Sequence, residues 1–277
     1  MLLIDSSDDP LLSDYCNLTD ATSARTGFFI VEGVLAVQRL LDRETRREPS
    51  AIRSVLLTPN RAETLTDMID LCESFDIAVL VASRDVLVQV TGFDVHRGVL
   101  AAVSRTEQPS LDAILEDTQR LVILEGINDH ENVGSIFRNA AALGVNAVLI
   151  DARTSDPLYR RSIRVSQGHV LSTDWTRVDN LNSALQQVRE AGFRLVGLTP
   201  KPQAEAVGIA AMQGTLDPPV AFLLGAEGPG LSAETLGLCD ALVRIPMSNG
   251  VDSLNVATSL AVVASFAIAR NSEQLAL

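Results

Sequence analysis

Apolar positions along the chain fall into short continuous runs that alternate with stretches of helical spacing, a pattern that predicts alternating strands and helices. In the first part, "FFIVEG", "IRSVLLTP", "IAVLVAS", "RDVLVQVTG" and "RGVLAAVSR" are interleaved with helical "VLAVQRLLDRE" and "AETLTDMIDLCESF". Together they predict a small α/β unit. After the polar stretch "SRTEQPSLDAILEDTQR" a second series begins, with runs "LVILEGI", "AVLIDA", "RLVGLTP", "VAFLLGAE" and "LVRIPM" separated by longer helical segments. Their unbroken apolar character suits strands covered on both faces, and so a parallel sheet. The expected organisation is a leader over 1–24, a small α/β domain over 25–106, a linker over 107–117 and a larger α/β domain over 118–277.

In open parallel sheets, ligands bind beyond the carboxyl ends of the strands. The segments at those ends are "NDHENVG", "TPKP", "GAEGPG" and "MSNGVDSLN". The first leads into a helix expected to open near Asn132 and close at Gly144, with Val133, Ile136, Phe137, Ala140 and Leu143 as its buried stripe. On that helix Gly134 and Arg138 stand four residues apart, on one face. The glycine-rich loop matches neither G-x-x-x-x-G-K-[ST] nor G-x-G-x-x-G, and it has no lysine to meet a phosphate. Glu227, inside the loop, would repel a pyrophosphate. An uncharged or cationic ligand fits better, a sulfonium cofactor among them, and a nucleotide-dependent oxidoreductase is disfavoured. The last segment predicts an Asn-Gly turn and a helix capped by Asp252 or Ser253, rich in small residues such as Ala257, Ala261 and Ala264.

Composition narrows the picture. With 277 residues and 47% apolar content, the chain can form sizeable cores. Cys16, Cys72 and Cys239 lie far apart and fall in no ligand spacing with His96, His130 and His169, which argues against a disulfide framework and against a metal site. The N-terminus lacks signal-peptide character, and the small-apolar run near 260–269 is too short to span a bilayer, so a cytoplasmic protein without membrane attachment is expected. The net charge is −13, and non-specific polyanion binding usually goes with the opposite sign. Part of the excess sits in residues 1–24, whose aspartates at 5, 8, 9, 14 and 20 meet no basic residue, the composition of a flexible leader. Basic charge is almost all arginine, and Arg153, Arg160, Arg161 and Arg164 gather in "DARTSDPLYRRSIRVSQG". Guanidinium forks of this kind suit phosphate oxygens.

Taken in order and spacing, "NVGSIFR", "FLLGAEGPGLS" and "IPMSNGVDSLNVATSLA" resemble the three motifs of the SpoU (TrmH) branch of the SPOUT methyltransferases. The resemblance covers about residues 118–271, and "YRRSIRVSQG" is similar to the family's arginine-containing segment between the first two motifs. The preceding unit resembles the L30-like substrate-binding domain that many members carry. One departure is Asn139, where the family commonly has threonine.

The resemblance implies a parallel α/β domain with a deep trefoil knot, a homodimer with its active site at the subunit interface, and S-adenosylmethionine as cofactor. It implies methyl transfer to a ribose 2′-hydroxyl of RNA, with ribosomal RNA favoured over transfer RNA and a catalytically silent RNA-binding protein as the alternative. By the same resemblance, Asn132, Arg138, Glu227, Ser253 and Asn255 are the polar active-site set. Leu198, Thr199, Gly225, Glu227, Ile245, Met247, Ser253 and Leu254 would surround the cofactor. Arg25, joined to the four clustered arginines, would meet the RNA.

Overall fold

The computed structural model describes the chain apart from residues 17, 19–26, 45–50, 96, 249, 276 and 277. In chain order the elements are β1 (Leu2–Ile4), β2 (Phe28–Glu32), α1 (Val34–Glu44), β3 (Ile52–Leu57), α2 (Pro59–Thr64), α3 (Thr66–Ser74), β4 (Ala78–Ala82), α4 (Arg84–Thr91) and β5 (Val99–Ser104). They continue with α5 (Leu111–Asp117), β6 (Arg120–Glu125), α6 (His130–Ala142), β7 (Ala147–Asp151), α7 (Arg160–Val165), β8 (Asp174–Val178), α8 (Leu181–Glu190) and β9 (Arg194–Leu198). The last are β10 (Glu205–Ala206), α9 (Val207–Gln213), β11 (Val220–Gly225), α10 (Ala233–Leu238), β12 (Ala241–Arg244) and α11 (Val256–Leu275).

These elements divide into two compact units, one of residues 1–107 with 157–172, the other of 108–156 with 173–277. The first unit is a five-stranded mixed sheet in the order β1-β4-β3-β5-β2. Ile30, Leu56, Leu80 and Leu100 on one face pack with Leu87 of α4 and with Leu12 and Tyr15. The leader expected to be flexible is therefore folded over its described residues 1–16. Leu2–Ile4 pairs in parallel with β4, and the buried Tyr15 hydroxyl donates to the Ser54 carbonyl at 2.9 Å. Two apolar anchors outweigh the charge that surrounds them, part of which is matched where Asp14 pairs with Arg53 at 2.9 Å. "RDVLVQVTG", rich in β-branched residues, is the helix α4, because Ser83 caps its start and Gly92, at φ +79°, ends it in the left-handed conformation.

The segment 157–172 lies in the first unit, although both its flanks belong to the second. Its helix α7 packs on β2, and the Arg160 guanidinium stands 4.0 Å over the Phe93 ring. Gly168 permits a close approach here: with φ +82°, a Cβ on it would lie 2.8 Å from the Ala36 Cα.

The second unit is a seven-stranded sheet in the order β10-β12-β9-β11-β6-β7-β8, and every pairing in it is parallel. The five runs predicted as strands are all present. The two additional strands were hidden in the pattern for physical reasons. β8, "DWTRV", is an edge strand with only one large apolar residue in its buried middle, Trp175 beside Thr176, and β10 has two residues. One face is filled by Leu121, Ile123, Leu149, Leu195 and Leu223 against Leu185 and Val188 of α8. On the other side, α11 packs on α6, α9 and β11, which brings the chain's last helix back to the middle strands.

Docking of the N-terminal segment through Tyr15 is testable. Tyr15→Ala should lower the stability of the first unit by ~3–5 kcal/mol, the cost of emptying a large buried aromatic site. Urea unfolding measures it, and a change below ~1 kcal/mol would contradict a docked segment.

Candidate active site

The site is built at the carboxyl ends of β6, β9, β11 and β12. Beyond β11 the chain reverses within a few residues: the Gly230 N–H donates to the Ala226 carbonyl at 2.8 Å, and these two residues form an isolated β-bridge. Gly225 is what lets the loop close, since a Cβ there would sit 2.1 Å from the Gly230 carbonyl carbon and the Leu231 nitrogen. Gly228 and Gly230, at φ +86° and +70°, hold left-handed conformations that L side chains rarely adopt. The glycines thus serve the loop's own reversal, with no approaching ligand required to explain them.

The closed loop presents Glu227 outward, where two amides hold it. Asn132 Nδ2 donates to Glu227 Oε1 at 3.0 Å, and Asn255 Nδ2 donates to the same oxygen at 3.2 Å. Asn255 Nδ2 also reaches Asn132 Oδ1 at 2.7 Å, which closes a three-membered network across three segments. The helix caps explain why these amides are available. Asp129 caps α6 by accepting from the Glu131 and Asn132 N–H groups, so the helix starts before Asn132 and leaves that side chain free of capping. Asn255, in place of the expected Asp252 or Ser253, caps α11: its Oδ1 accepts from the Ala257 N–H at 2.9 Å and the Thr258 N–H at 3.3 Å. Its Nδ2 is left for Glu227. Asn139, the departure from the family pattern, donates to the Ala257 carbonyl at 2.8 Å and so ties α6 to the start of α11.

Beside this network lies a cavity of about 540 Å³, within the ~300–1,000 Å³ typical of small-molecule sites. Leu198 and Thr199 at the end of β9, Gly225 at the end of β11, Glu227 of the loop, and Ile245, Met247, Ser253 and Leu254 after β12 all line it. Its walls are mostly apolar side chains, completed by loop backbone and by the Glu227 carboxylate. Asn249 of the expected Asn-Gly turn lies outside the described residues, while its neighbour Gly250 has φ +71°.

Arg138 is not part of the network. Six residues beyond Asn132 on a helix of 3.6 residues per turn, it points about 120° away from that side chain. It is exposed and makes no hydrogen bond or ion pair among the described residues.

The clustered arginines are divided. Arg160, Arg161 and Arg164 belong to the first unit, where Arg161 and Arg164 are exposed. Arg153 belongs to the second unit and is engaged by two carboxylates: its Nε donates to Asp151 Oδ2 at 3.1 Å and its Nη2 to Glu125 Oε1 at 3.4 Å. Arg25 lies outside the described residues. Burial pushes the Asp151 carboxyl up, but hydrogen bonds from the Thr154 hydroxyl, the Gly126 N–H, Arg153 and the Thr154 N–H outweigh it and hold the group below the ordinary carboxylate range. Glu125 and Asp151 escaped the motif reading. The available signal was a carboxylate ending each of two buried apolar strands, "LVILE" and "AVLID", which burial permits only where donors await.

Among the described residues no His, Cys, Asp and Glu group could hold a metal ion. No described helix is long and apolar enough to cross a membrane.

Comparison with known proteins agrees with this geometry. The SpoU rRNA methylase family model matches residues 119–265, and the model for RNA 2′-O ribose methyltransferase substrate binding matches residues 30–109. The chain is 43% identical over 264 residues to the uncharacterized tRNA/rRNA methyltransferase Rv0881 of Mycobacterium tuberculosis, covering 92% of this chain and 87% of that one. It is 34% identical over 239 residues to the 23S rRNA (guanosine-2′-O-)-methyltransferase RlmB of Photorhabdus laumondii, covering 84% and 94%. In fold it is similar to the AdoMet-bound rRNA methyltransferase of Sinorhizobium meliloti, with TM-score 0.78, 24% identity and 96% of each chain covered. The chain belongs to the SpoU rRNA methylase family.

Proposed function

We propose that the protein transfers a methyl group from S-adenosylmethionine to a ribose 2′-hydroxyl of RNA, with ribosomal RNA favoured over transfer RNA. The observation that carries this reading is the closed loop with a carboxylate held at its tip, at the mouth of an apolar cavity. Such a site repels phosphate groups and suits a cationic sulfonium. Ribosomal RNA and the ribose position are favoured by the 34% identical RlmB relative, named for 2′-O methylation of a 23S rRNA guanosine. A ribosomal RNA substrate favours a cytoplasmic protein.

The cofactor, when bound, supplies an electrophilic methyl on a positively charged sulfur. Leu198, Ile245, Met247 and Leu254 would give it apolar walls, with Thr199 and Gly225 beside them. Asn132 and Asn255 fix Glu227 through Oε1, and Ser253 stands at the same rim. The hydroxyl must lose its proton as attack proceeds. A guanidinium, with a pKa above ~12, is no base. Arg138 instead holds the target phosphate and stabilises the developing alkoxide, while the second oxygen of Glu227, without a hydrogen bond among the described residues, stands as an acceptor.

Because Arg138 points away from Asn132, which holds Glu227, the reading includes a homodimer in which Arg138 works at the partner's site. Exposed Ile209 and Met212 of α9 and Phe266 of α11 support it, since exposed apolar clusters mark association surfaces. The C-terminal part of the chain is read as a deep trefoil knot, which the placement of β12 beside β9 instead of β11 favours.

Tritium from labelled S-adenosylmethionine should pass to RNA from cells lacking the gene, in alkali-resistant dinucleotides; no transfer to any RNA would leave the silent RNA-binding alternative. Arg138→Ala should abolish transfer while calorimetry shows cofactor binding unchanged, and equal loss of both contradicts its assignment. Charge reversal of the exposed pair Arg161 and Arg164 should lower the slope of RNA affinity against salt by about one for each phosphate no longer neutralised; an unchanged slope removes them from the interface. Met212→Asp should give monomers in light scattering and inactive protein, and an active monomer contradicts the shared site.

A further inference from the structure

Arg153 attracts attention in the sequence as a member of a basic cluster, yet its surroundings do not fit a phosphate ligand. Its guanidinium already faces two carboxylates, Asp151 at 3.1 Å and Glu125 at 3.4 Å, so the local charge is negative before any RNA arrives. Asp151 is itself anchored, accepting at Oδ1 from the Gly126 N–H at 3.0 Å, the Thr154 N–H at 2.8 Å and the Thr154 hydroxyl at 2.6 Å. Arg177, from the edge strand β8, donates to the carbonyls of Asp151 and Thr154 at 2.7 and 2.8 Å and fixes this turn from the other side.

These bonds converge on Glu125. Buried at 6% side-chain exposure, it uses Oε1 for Arg153 and Oε2 for the Ser232 N–H, at 3.0 Å. Ser232 is the residue where the glycine-rich loop ends and α10 begins, and its hydroxyl caps that helix. The loop is therefore held at two points. Near its tip, Glu227 is tied to Asn132 and Asn255; at its far end, Ser232 is tied to Glu125. Glu125 also ends β6, whose continuation leads through Asp129 into α6 and Asn132. One carboxylate thus sets the spacing between the loop that carries Glu227 and the strand that leads to Asn132.

We propose that Glu125 and Arg153 are positioning residues of the cofactor loop: Glu125 clamps its far end through Ser232, and Arg153, fixed by Asp151, holds the Glu125 carboxylate in place. The cofactor-binding part of this inference rests on the function proposed above, whereas the clamp itself does not. A buried carboxylate accepting from a backbone N–H is among the stronger hydrogen bonds in a protein, and its removal strands the N–H donor. The Glu125–Arg153 pair has an exposed arginine side chain, at 71%, and is the weaker of the two interactions.

Two readouts on the full-length protein separate the claims. In hydrogen exchange without cofactor, Glu125→Ala should speed exchange across 226–232 at least tenfold while the strands of the same unit keep their protection. Glu125→Gln, whose side-chain carbonyl still accepts from Ser232, should restore most of it. In calorimetric titration, Glu125→Ala should raise the Kd for S-adenosylmethionine about tenfold, with a matching rise in its KM and little change in kcat or in the KM for RNA. Arg153→Ala should raise the cofactor Kd less and leave the salt slope of RNA binding unchanged. Unchanged exchange in both Glu125→Ala and Glu125→Gln overturns the clamp; a lower RNA salt slope in Arg153→Ala, with cofactor affinity intact, returns Arg153 to phosphate binding. If wild-type protein binds no S-adenosylmethionine, the proposed function falls, and the exchange measurement still decides the clamp. Should Glu125→Ala fail to fold, Glu125→Met, which fills a similar space but cannot accept from the Ser232 N–H, takes its place: exchange across 226–232 identical to wild type overturns the clamp.

Discussion

A carboxylate on an exposed loop tip would ordinarily be mobile and solvated, but Glu227 is held by the side-chain amides of Asn132 and Asn255. Those three residues come from the starts of α6 and α11 and from the reversal after β11, segments far apart in sequence. Their meeting depends on the parallel sheet, which brings the carboxyl ends of its strands to one edge, and on two helix caps. Asp129 takes the capping duty at α6 and so releases Asn132. Asn255 performs both tasks at once, its oxygen capping α11 and its nitrogen reaching Glu227. The cavity lies beside them, lined by Gly225, Glu227 and Asn255.

Much of this was legible in the residues. The five long strands of the second unit could be read because burial on both faces leaves unbroken apolar runs, and the helix between Asn132 and Gly144 carried a clear stripe. β8 could not, since the polar residues Asp174, Thr176 and Arg177 interrupt the apolar run in "DWTRV". α4 was obscured by Val86, Val88 and Val90, whose strand preference yields to a Ser83 cap and a Gly92 stop. The motif residues around the cavity came from a family resemblance; periodicity would have found none of them. The cap of α11 was misplaced because aspartate, serine and asparagine all suit the position, and the choice among them is made by tertiary partners.

Charge was the hardest property to read from the chain. Five aspartates without a basic residue suggested a flexible leader, yet Leu12 and Tyr15 dock it against the first sheet, an energetic contribution that net charge does not reveal. The arginines between 153 and 164 look like one patch because they are neighbours in sequence. In space the run is divided between two units, with Arg153 engaged by Asp151 and Glu125.

The central claim is that a loop closed upon itself at Gly225 makes the cofactor site. Gly225→Ala, at the last residue of β11, puts a Cβ where the Gly230 and Leu231 backbones lie. Calorimetric titration of that variant with S-adenosylmethionine is the most direct test: the account predicts loss of binding with the circular dichroism of the wild type preserved, and binding at wild-type affinity would contradict it.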